Sequence, residues 1–344
     1  MSKFSVTRLV VCLLIICAVA FAQSTTEGAI SGTVSDSSGA VVPNATIVVH
    51  NNATNAEQTT QSDSSGSFRA GSLRPAVYTV TVTAAGFAPY KAQQVIVNVG
   101  TVTDLLPRLN VGSAAETVTV SAEAPQINTT SADFAPVLNN TAISNLPING
   151  GRWSNFVLLT PTVVNDGQGF GLVSFRGMSA LLNNNTIDGA DNNQAFFSEE
   201  RGRTRAGYSS AKAAVQEFQV NTSNYSSEYG RSAGGVINTV TKSGTNALHG
   251  EMYFYDRDNS WGAMNPFTVI TTRDSTGAFV TTPYKPVDVR KISGFAVGGP
   301  IKKDKLFFFL AFDWYKRNFP GTAVPSSART FFVPATKNSS FICL

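Results

Sequence analysis

From Glu27 to Val111 the sequence alternates apolar and polar residues in short runs, and each run is stopped by a turn signal. The runs are Ile30–Val34, Ala45–Val49, Gly66–Arg69, Tyr78–Val82 and Gln94–Val97. Between them stand Asp36-Ser37-Ser38-Gly39, Asp63-Ser64-Ser65-Gly66 and Ala85-Gly86-Phe87. A period of two puts alternate side chains on opposite faces of a strand, and Asp, Ser and Gly supply the turn conformations. Short strands at regular spacing predict a small β-sandwich. The two Asp-Ser-Ser-Gly stretches read as tight turns rather than calcium loops, since ligands on further loops are missing.

The rest of the composition agrees with strands and narrows the function. Of 344 residues, 42% are hydrophobic and only 14% charged, against about 25% charged in ordinary globular chains. With 23 Phe and 9 Tyr the chain packs rather than staying disordered. The net charge of +4 is spread without a clustered basic face, so no nucleic-acid partner is expected. Cys12, Cys17 and Cys343 lie near the ends, and His50 and His249 are isolated. That distribution argues against a zinc site, a Cys/His nucleophile pair and a disulfide framework. A Gly-x-Ser-x-Gly elbow with His and acid partners is missing too. No enzyme activity, cofactor or catalytic residue is expected.

The N-terminus predicts export. Lys3 and Arg8 precede an unbroken apolar run from Leu9 to Ala22, and Ala20-Phe21-Ala22 has the small-x-small pattern of signal-peptidase cleavage. The run is short for a membrane helix, which needs roughly 20 apolar residues. Residues 1–22 are therefore expected to be a cleaved signal peptide. Removing them leaves 24 basic against 22 acidic residues.

The order Gly32-x-Val34-x-Asp36-x-x-Gly39-x-x-Val42-x-x-Ala45-x-x-Val48, then Thr60 to Phe68, Pro75-Ala-Val-Tyr-Thr-Val and Ala85-Gly-Phe, resembles the carboxypeptidase regulatory-like domain. The resemblance implies a prealbumin-like sandwich with a carbohydrate-binding-like fold, without catalysis, over residues 27–111. Downstream, Ala142–Pro147 and Trp153–Leu159 read as short helical turns. Ser174–Gly177, Asn185–Gly189, Ala213–Val220 and Gly234–Gly244 read as strands with turns. Arg176-Gly177, Ile187-Asp188-Gly189 and Gly234-Gly235-Val-Ile-Asn238-x-Val-Thr-Lys242 resemble the plug domain of TonB-dependent outer-membrane receptors. With Gln-Glu-Phe-Gln-Val at 216–220 and Glu-Tyr-Gly-Arg at 228–231, they resemble the Oar-like branch, and residues 114–246 are assigned to the plug. Its marker residues are Arg176, Gly177, Asp188, Gly189, Gly234, Gly235, Asn238 and Lys242.

Glu116, Thr117, Val118, Thr119, Val120 and Ser121 form a short β-prone segment. As one exposed edge strand it suits pairing with a partner; as the last strand of the preceding domain it would have an ordinary structural role. The family resemblance puts this segment where a TonB box would sit. Three rival motifs read more simply. Gly167-Gln-Gly169-Phe-Gly171 is a loop rather than half a phosphate-binding turn. Arg201-Gly-Arg203-Thr-Arg205 is a solvated loop rather than an RNA site. Asp188 and Asp191 suit a turn better than a cation site.

In residues 247–344, Leu248, Gly250, Met252 and Phe254 fall on one face of a strand and His249, Glu251, Tyr253, Tyr255 and Arg257 on the other. Leu306, Phe308, Leu310, Phe312 and Trp314 likewise oppose Phe307, Phe309, Ala311, Asp313 and Tyr315. Gly298 to Lys305 is expected as the hairpin between strands. A plugged barrel closes with about 22 strands, and these residues supply about four, so the chain is expected to be the N-terminal part of a receptor.

The expected fold is mainly β: a prealbumin-like sandwich, a mixed α/β plug, and the first strands of an incomplete transmembrane β-barrel. The resemblance implies an outer-membrane receptor for energised uptake. Its partners would be a periplasmic TonB-type protein, outer-membrane lipid, and a glycan, peptide or metal chelate as substrate. The competing reading is a secreted or periplasmic binding protein built on the sandwich, with carbohydrate as a candidate ligand.

Overall fold

The computed structural model describes residues 26–112, 118–121, 137–146, 153–165, 172–193, 210–225 and 229–318. The leader expected at 1–22, Glu116, Thr117 and the loops at 167–171 and 201–205 lie outside the described residues. The contacts divide the chain into two compact units: residues 1–249 with 297–310, and 250–296 with 311–344.

The first unit begins with strands β1 (Gly28–Thr33), β2 (Ser35–Asp36), β3 (Thr46–Asn51), β4 (Glu57–Gln61) and β5 (Ser67–Leu73). β6 (Ala76–Thr83), β7 (Tyr90–Val97), β8 (Val102–Leu105), β9 (Arg108–Leu109) and β10 (Val118–Ser121) follow. One sheet has the order β5-β1-β8 and the other β10-β7-β6-β3-β4. Alternation decides what is buried. Ile47 and Val49 of β3 and Tyr78, Val80 and Val82 of β6 point inward, joining Ile30, Phe68, Val95, Val97 and Leu105 in one core. The buried Tyr78 keeps a partner for its hydroxyl, which donates to the Arg74 carbonyl at 2.8 Å.

Both Asp-Ser-Ser-Gly stretches are turns. Asp36 accepts from the backbone N–H of Ser38 and Ala40 and from the Ser38 hydroxyl, at 2.7–2.9 Å. Asp63 does the same with Ser65 and Ser67. Gly39 and Gly66 take the positive φ (90° and 73°) that these turns need. The Ser38 and Ser65 hydroxyls, with the backbone donors, hold both carboxyls below the ordinary carboxylate range. The same turn recurs at Asp274, Thr276 and Gly277, between two later strands.

A second layer of the same unit contains β11 (Val137–Asn139), α1 (Asn140–Asn145), a 3-10 turn (Trp153–Leu159), β12 (Val163–Asn165) and β13 (Val173–Phe175). It continues through β14 (Asn184–Ile187), β15 (Ala190–Asp191), β16 (Val215–Asn221) and β17 (Val236–Thr241). Five strands make a sheet of order β11-β16-β17-β14-β15, and β12 pairs with β13. Asn139 caps α1 by accepting from the Ala142 N–H at 3.0 Å. Phe175, Phe218, Phe156, Ile143, Val220 and Ile237 fill its core. Among its described residues α-helix contributes one six-residue segment, and strand pairing holds most of the rest.

The last strands are β18 (His249–Asp258), β19 (Val269–Arg273), β20 (Phe279–Pro283), β21 (Val289–Lys302) and β22 (Leu306–Asn318). β18, β21 and β22 form a three-stranded sheet, while β19 and β20 make a separate ribbon. Met252, Phe254, Phe295, Leu310, Phe312 and Trp314 are exposed, and the Phe295 and Phe312 rings meet at 5.9 Å. Polar pairs occupy the alternate positions. Tyr253 of β18 donates to Asp313 of β22 past Gly294 of β21, where a Cβ would collide with both groups. Asp288 accepts from Arg290 (Nη2, 3.0 Å) and from Arg317 (Nε, 2.8 Å). The hairpin expected from Gly298 to Lys305 is shorter. Gly298–Lys302 belong to β21, and only Lys303–Lys305 turn. The two glycines act as close-packing positions, Gly298 beside Phe309 and His249, and Gly299 beside Leu248.

Gly32 is the tightest position in the sandwich. It lies in β1 between Phe68 of β5 and Leu105 of β8, and a Cβ there would overlap the Leu105 carbonyl. Gly32→Ala must push the strands apart. It should cost about 1–3 kcal/mol, read as a lower urea midpoint than that of Gly71→Ala, a control in β5 where a Cβ meets nothing within 4 Å.

Candidate functional site

Of the marker residues, Asp188, Gly189, Gly234, Gly235, Asn238 and Lys242 lie on or beside β14 and β17 of the five-stranded sheet. β14 and β17 pair in parallel from Asn184↔Val236 to Ile187↔Thr239. β14 and β15 are joined by the two-residue turn Asp188-Gly189, with φ of 49° and 78°. Positive φ at both positions is the signature of a type I′ hairpin, which Asp-Gly favours. The Asp188 carboxylate reaches across to β17, accepting from the Thr241 N–H at 2.9 Å and the Thr241 hydroxyl at 2.7 Å. Asp188 thus closes the sheet. Asp191 sits nearby in an ion pair with Arg231 at 2.5 Å. No group of three or more potential metal-ligating side chains occurs among the described residues.

Gly234 and Gly235 are packing positions at the entrance to β17. A side chain at Gly235 would enter the Phe175 ring, and one at Gly234 would meet the Asn183 amide. Asn238 bridges two elements, accepting from Thr186 at 2.9 Å and donating to the Tyr229 hydroxyl at 3.3 Å. Lys242 donates its backbone N–H to Ala214 at 2.7 Å. Arg176-Gly177 form the turn after β13, with φ of 52° and 77°, and stand apart from the Asp188 turn in sequence and in pairing. What these residues do here is turn, cap and pack.

Val118–Ser121, the described part of the 116–121 segment, is neither isolated nor free. It lies parallel to β7 as the edge of the five-stranded sandwich sheet, in register Val118↔Tyr90 to Ser121↔Gln93. Of the two roles open to it, strand of the sandwich and pairing edge, this placement fills the first and leaves its outer edge with no strand beside it among the described residues.

Sequence reasoning missed Glu217. A register shift between Val215 and Glu217 breaks the simple alternation of β16. Phe218 and Val220 face the apolar core, while Glu217, Gln219 and Asn221 are buried beyond it. Glu217 accepts a 2.5 Å hydrogen bond from the N–H of Val99, in the β7–β8 loop of the sandwich. The neighbouring Gly100 (φ 62°) presses against Gln219. Gln219 in turn accepts from Asn221 (3.2 Å) and Tyr229 (3.1 Å). Burial pushes the Glu217 carboxyl up to about 7, against the lowering effect of the Val99 N–H. A Glu-Phe-Gln-Val-Asn stretch read by alternation alone puts Glu217 and Gln219 in water, and nothing local reveals the loop that covers them.

Similarity to known proteins reaches both ends of the chain. Residues 29–110 match the carboxypeptidase regulatory-like domain, and residues 240–339 match the outer membrane beta barrel domain. Over 305 residues, covering 85% of this chain, it is 30% identical to the TonB-dependent transporter Oar of Myxococcus xanthus. The chain is homologous to a TonB-dependent transporter. It spans 27% of that relative's length. Among solved structures, the siderophore receptor PirA of Acinetobacter baumannii aligns at 20% identity and a TM-score of 0.37, over 53% of this chain and 24% of that one. The hydroxyquinol 1,2-dioxygenase of Pseudomonas putida aligns at 11% and 0.21, over 27% and 59%.

Glu217 makes stability depend on pH in a defined direction. The folded chain keeps a proton that the unfolded chain has already released above the usual carboxylate value of 4.5. Stability is therefore highest below that value and falls as pH rises through about 7. The slope is about 1.4 kcal/mol per pH unit for one proton, so the total is on the order of 3 kcal/mol. Glu217→Gln keeps an acceptor for Val99 and removes the titration. Its melting temperature should exceed that of the parent at pH 8 and match it near pH 4.5.

Proposed function

We propose that this chain belongs to an outer-membrane receptor that takes up its substrate by TonB-type energy coupling. In this reading the sheet β18-β21-β22 faces lipid with one side, the β11–β17 layer is the plug, and Val118–Ser121 is the coupling strand. The observation that carries it is the two-sidedness of the terminal sheet. Met252, Phe254, Phe295, Leu310, Phe312 and Trp314 are exposed, while Tyr253 pairs with Asp313 and Asp288 binds two arginines at alternate positions. A membrane barrel needs an apolar belt outside and tolerates polar pairs inside. A soluble binding protein would need another layer over that apolar side.

Each part then has a physical task. The plug would block the lumen while its edge strands stay paired. The coupling strand offers backbone groups to a periplasmic partner, and traction on it would disturb the plug from the sequence immediately ahead of β11. The transported molecule would be a glycan, a peptide or a metal chelate. No residue is assigned covalent chemistry, and the work would come from the partner. The leader at 1–22 would direct export.

The test uses the full-length receptor in its host, with panels of labelled glycans, peptides and metal chelates. Deleting 116–121 should leave surface binding of the recognised probe unchanged and cut its energised accumulation to the level of a partner-deficient strain. Accumulation that survives the deletion would rule the assignment out.

A further inference from the structure

The pairing of Val118–Ser121 with β7 has a narrow cause. Before Tyr90 the edge is taken by the Ala88 N–H bond to Asn110 at 2.9 Å and the Phe87–Val111 bridge. After Gln93 the strand is kinked: Gln94 has a φ of 58°, and the register with β6 slips between Tyr78 and Val80. Beyond the kink the Ile96 carbonyl accepts from the Thr103 hydroxyl at 2.8 Å. The edge of β7 is thus open over Tyr90–Gln93, and β10 fills that window residue for residue.

The geometry points to the sandwich as a dock that holds the coupling strand extended, one edge on β7 and the other presented to a single strand of the periplasmic partner. The partner's strand would continue the sheet as its next member, without displacing β10 from β7. This rests on the coupling role proposed above and gives the sandwich its part in it.

Three physical points support the dock. A strand's two rows of backbone groups face opposite neighbours, so pairing with β7 leaves the second row for β-augmentation. A strand already extended on a packed sheet has less freedom to lose when a partner binds, which favours association. The ladder is four residues long and parallel, the slightly weaker form of strand pairing. Among the sandwich contacts it is suited to part under traction after the partner has bound.

Cross-linking tests this directly. Thr119 lies opposite Lys91, and neighbouring strands are close enough for a disulfide. Thr119→Cys with Lys91→Cys would be made in the full-length receptor, its other cysteines changed to Ser. The control is Thr119→Cys with Thr81→Cys, one strand further in. The probe is the purified periplasmic domain of the host's TonB-type protein. The Lys91 pair should oxidise in most molecules and the Thr81 pair in few. The oxidised receptor should bind the probe within about threefold of the reduced one, while energised uptake stops until reductant is added. Absence of the disulfide overturns the dock and leaves the coupling role standing. A tenfold or greater loss of binding on oxidation also overturns it, making β7 a competitor of the partner. If the disulfide forms but the probe binds neither redox form, the coupling role of 118–121 falls and takes this inference with it. Hydrogen exchange gives a reading free of engineered cysteines. The amides of Tyr90–Gln93 that face β10 should be slow, and faster once 116–121 is deleted; fast exchange of these amides in both would overturn the dock.

Discussion

Every sheet in this chain has to answer for its edges. A strand whose outer N–H and C=O groups are left unpaired needs water, a covering segment or another strand. In the sandwich the Phe87–Val111 bridge covers the approach to β7, β10 covers Tyr90–Gln93, and the Thr103 hydroxyl meets the carbonyl of Ile96. The central sheet closes one end with the Asp188-Gly189 hairpin, whose carboxylate is tied to Thr241 of β17. The terminal sheet β18-β21-β22 cannot be resolved this way. In lipid, a three-stranded sheet would leave edge groups without water, so it needs the neighbours of a closed barrel. The match of residues 240–339 to an outer membrane beta barrel domain and this edge requirement point to the same architecture.

Much of this was legible where one residue type does one local task. Alternation located β3 and β6, and the Asp-Ser-Ser-Gly turns followed from the preference of Asp and Ser for backbone N–H groups. Asp188-Gly189 was readable as a turn for the same reason. The aromatic run 306–315 was readable as a two-faced strand, and Leu306, Leu310, Phe312 and Trp314 are exposed on one side. What stayed hidden depends on contacts distant in sequence. Glu217 meets a loop 118 positions away. The partner of Val118–Ser121 was one of two open readings, because a β-prone segment says nothing about which edge it joins. In the sequence the Gly298-Gly299 pair reads as turn chemistry. Both glycines instead mark close approach inside the sheet, a use that composition cannot distinguish from the first.

The two layers of the first unit are built on different physics. The sandwich core is nearly all aliphatic and aromatic, and the Ser62 hydroxyl, one of its buried polar groups, is bonded to Val42 and Ala45. The central layer buries Asn183, Asn184, Asn185, Asn193, Glu217, Gln219, Asn221 and Asn238. Asn193 donates to the Asn184 side chain and accepts from the Asn185 backbone, and Asn183 bonds the Val173 carbonyl. Burying apolar surface is the dominant favourable term in folding, whereas exchanging water for an internal hydrogen bond contributes only about 1 kcal/mol net. The sandwich is therefore the anchor of the unit, and the central layer is the part that can be opened at lower cost.

That contrast matters most if the central layer works inside a hydrated lumen. An apolar core pulled apart in water exposes surface at roughly 25 cal/mol per Å², and nothing in the solvent offsets it. A network such as Gln219–Asn221–Tyr229–Asn238 loses partners that water can replace, provided water reaches them. Remodelling would then begin where polar groups reach the surface, at Asp188, Asp191 and Arg231, and be resisted at Phe156, Phe175 and Phe218. Glu217 sits between the two regimes, buried but ionisable and bonded to the sandwich. Once water enters, its carboxyl returns toward the ordinary range and ionises at neutral pH; the Val99 N–H bond favours that charged form, and it is hydration of the carboxylate that stabilises the opened layer.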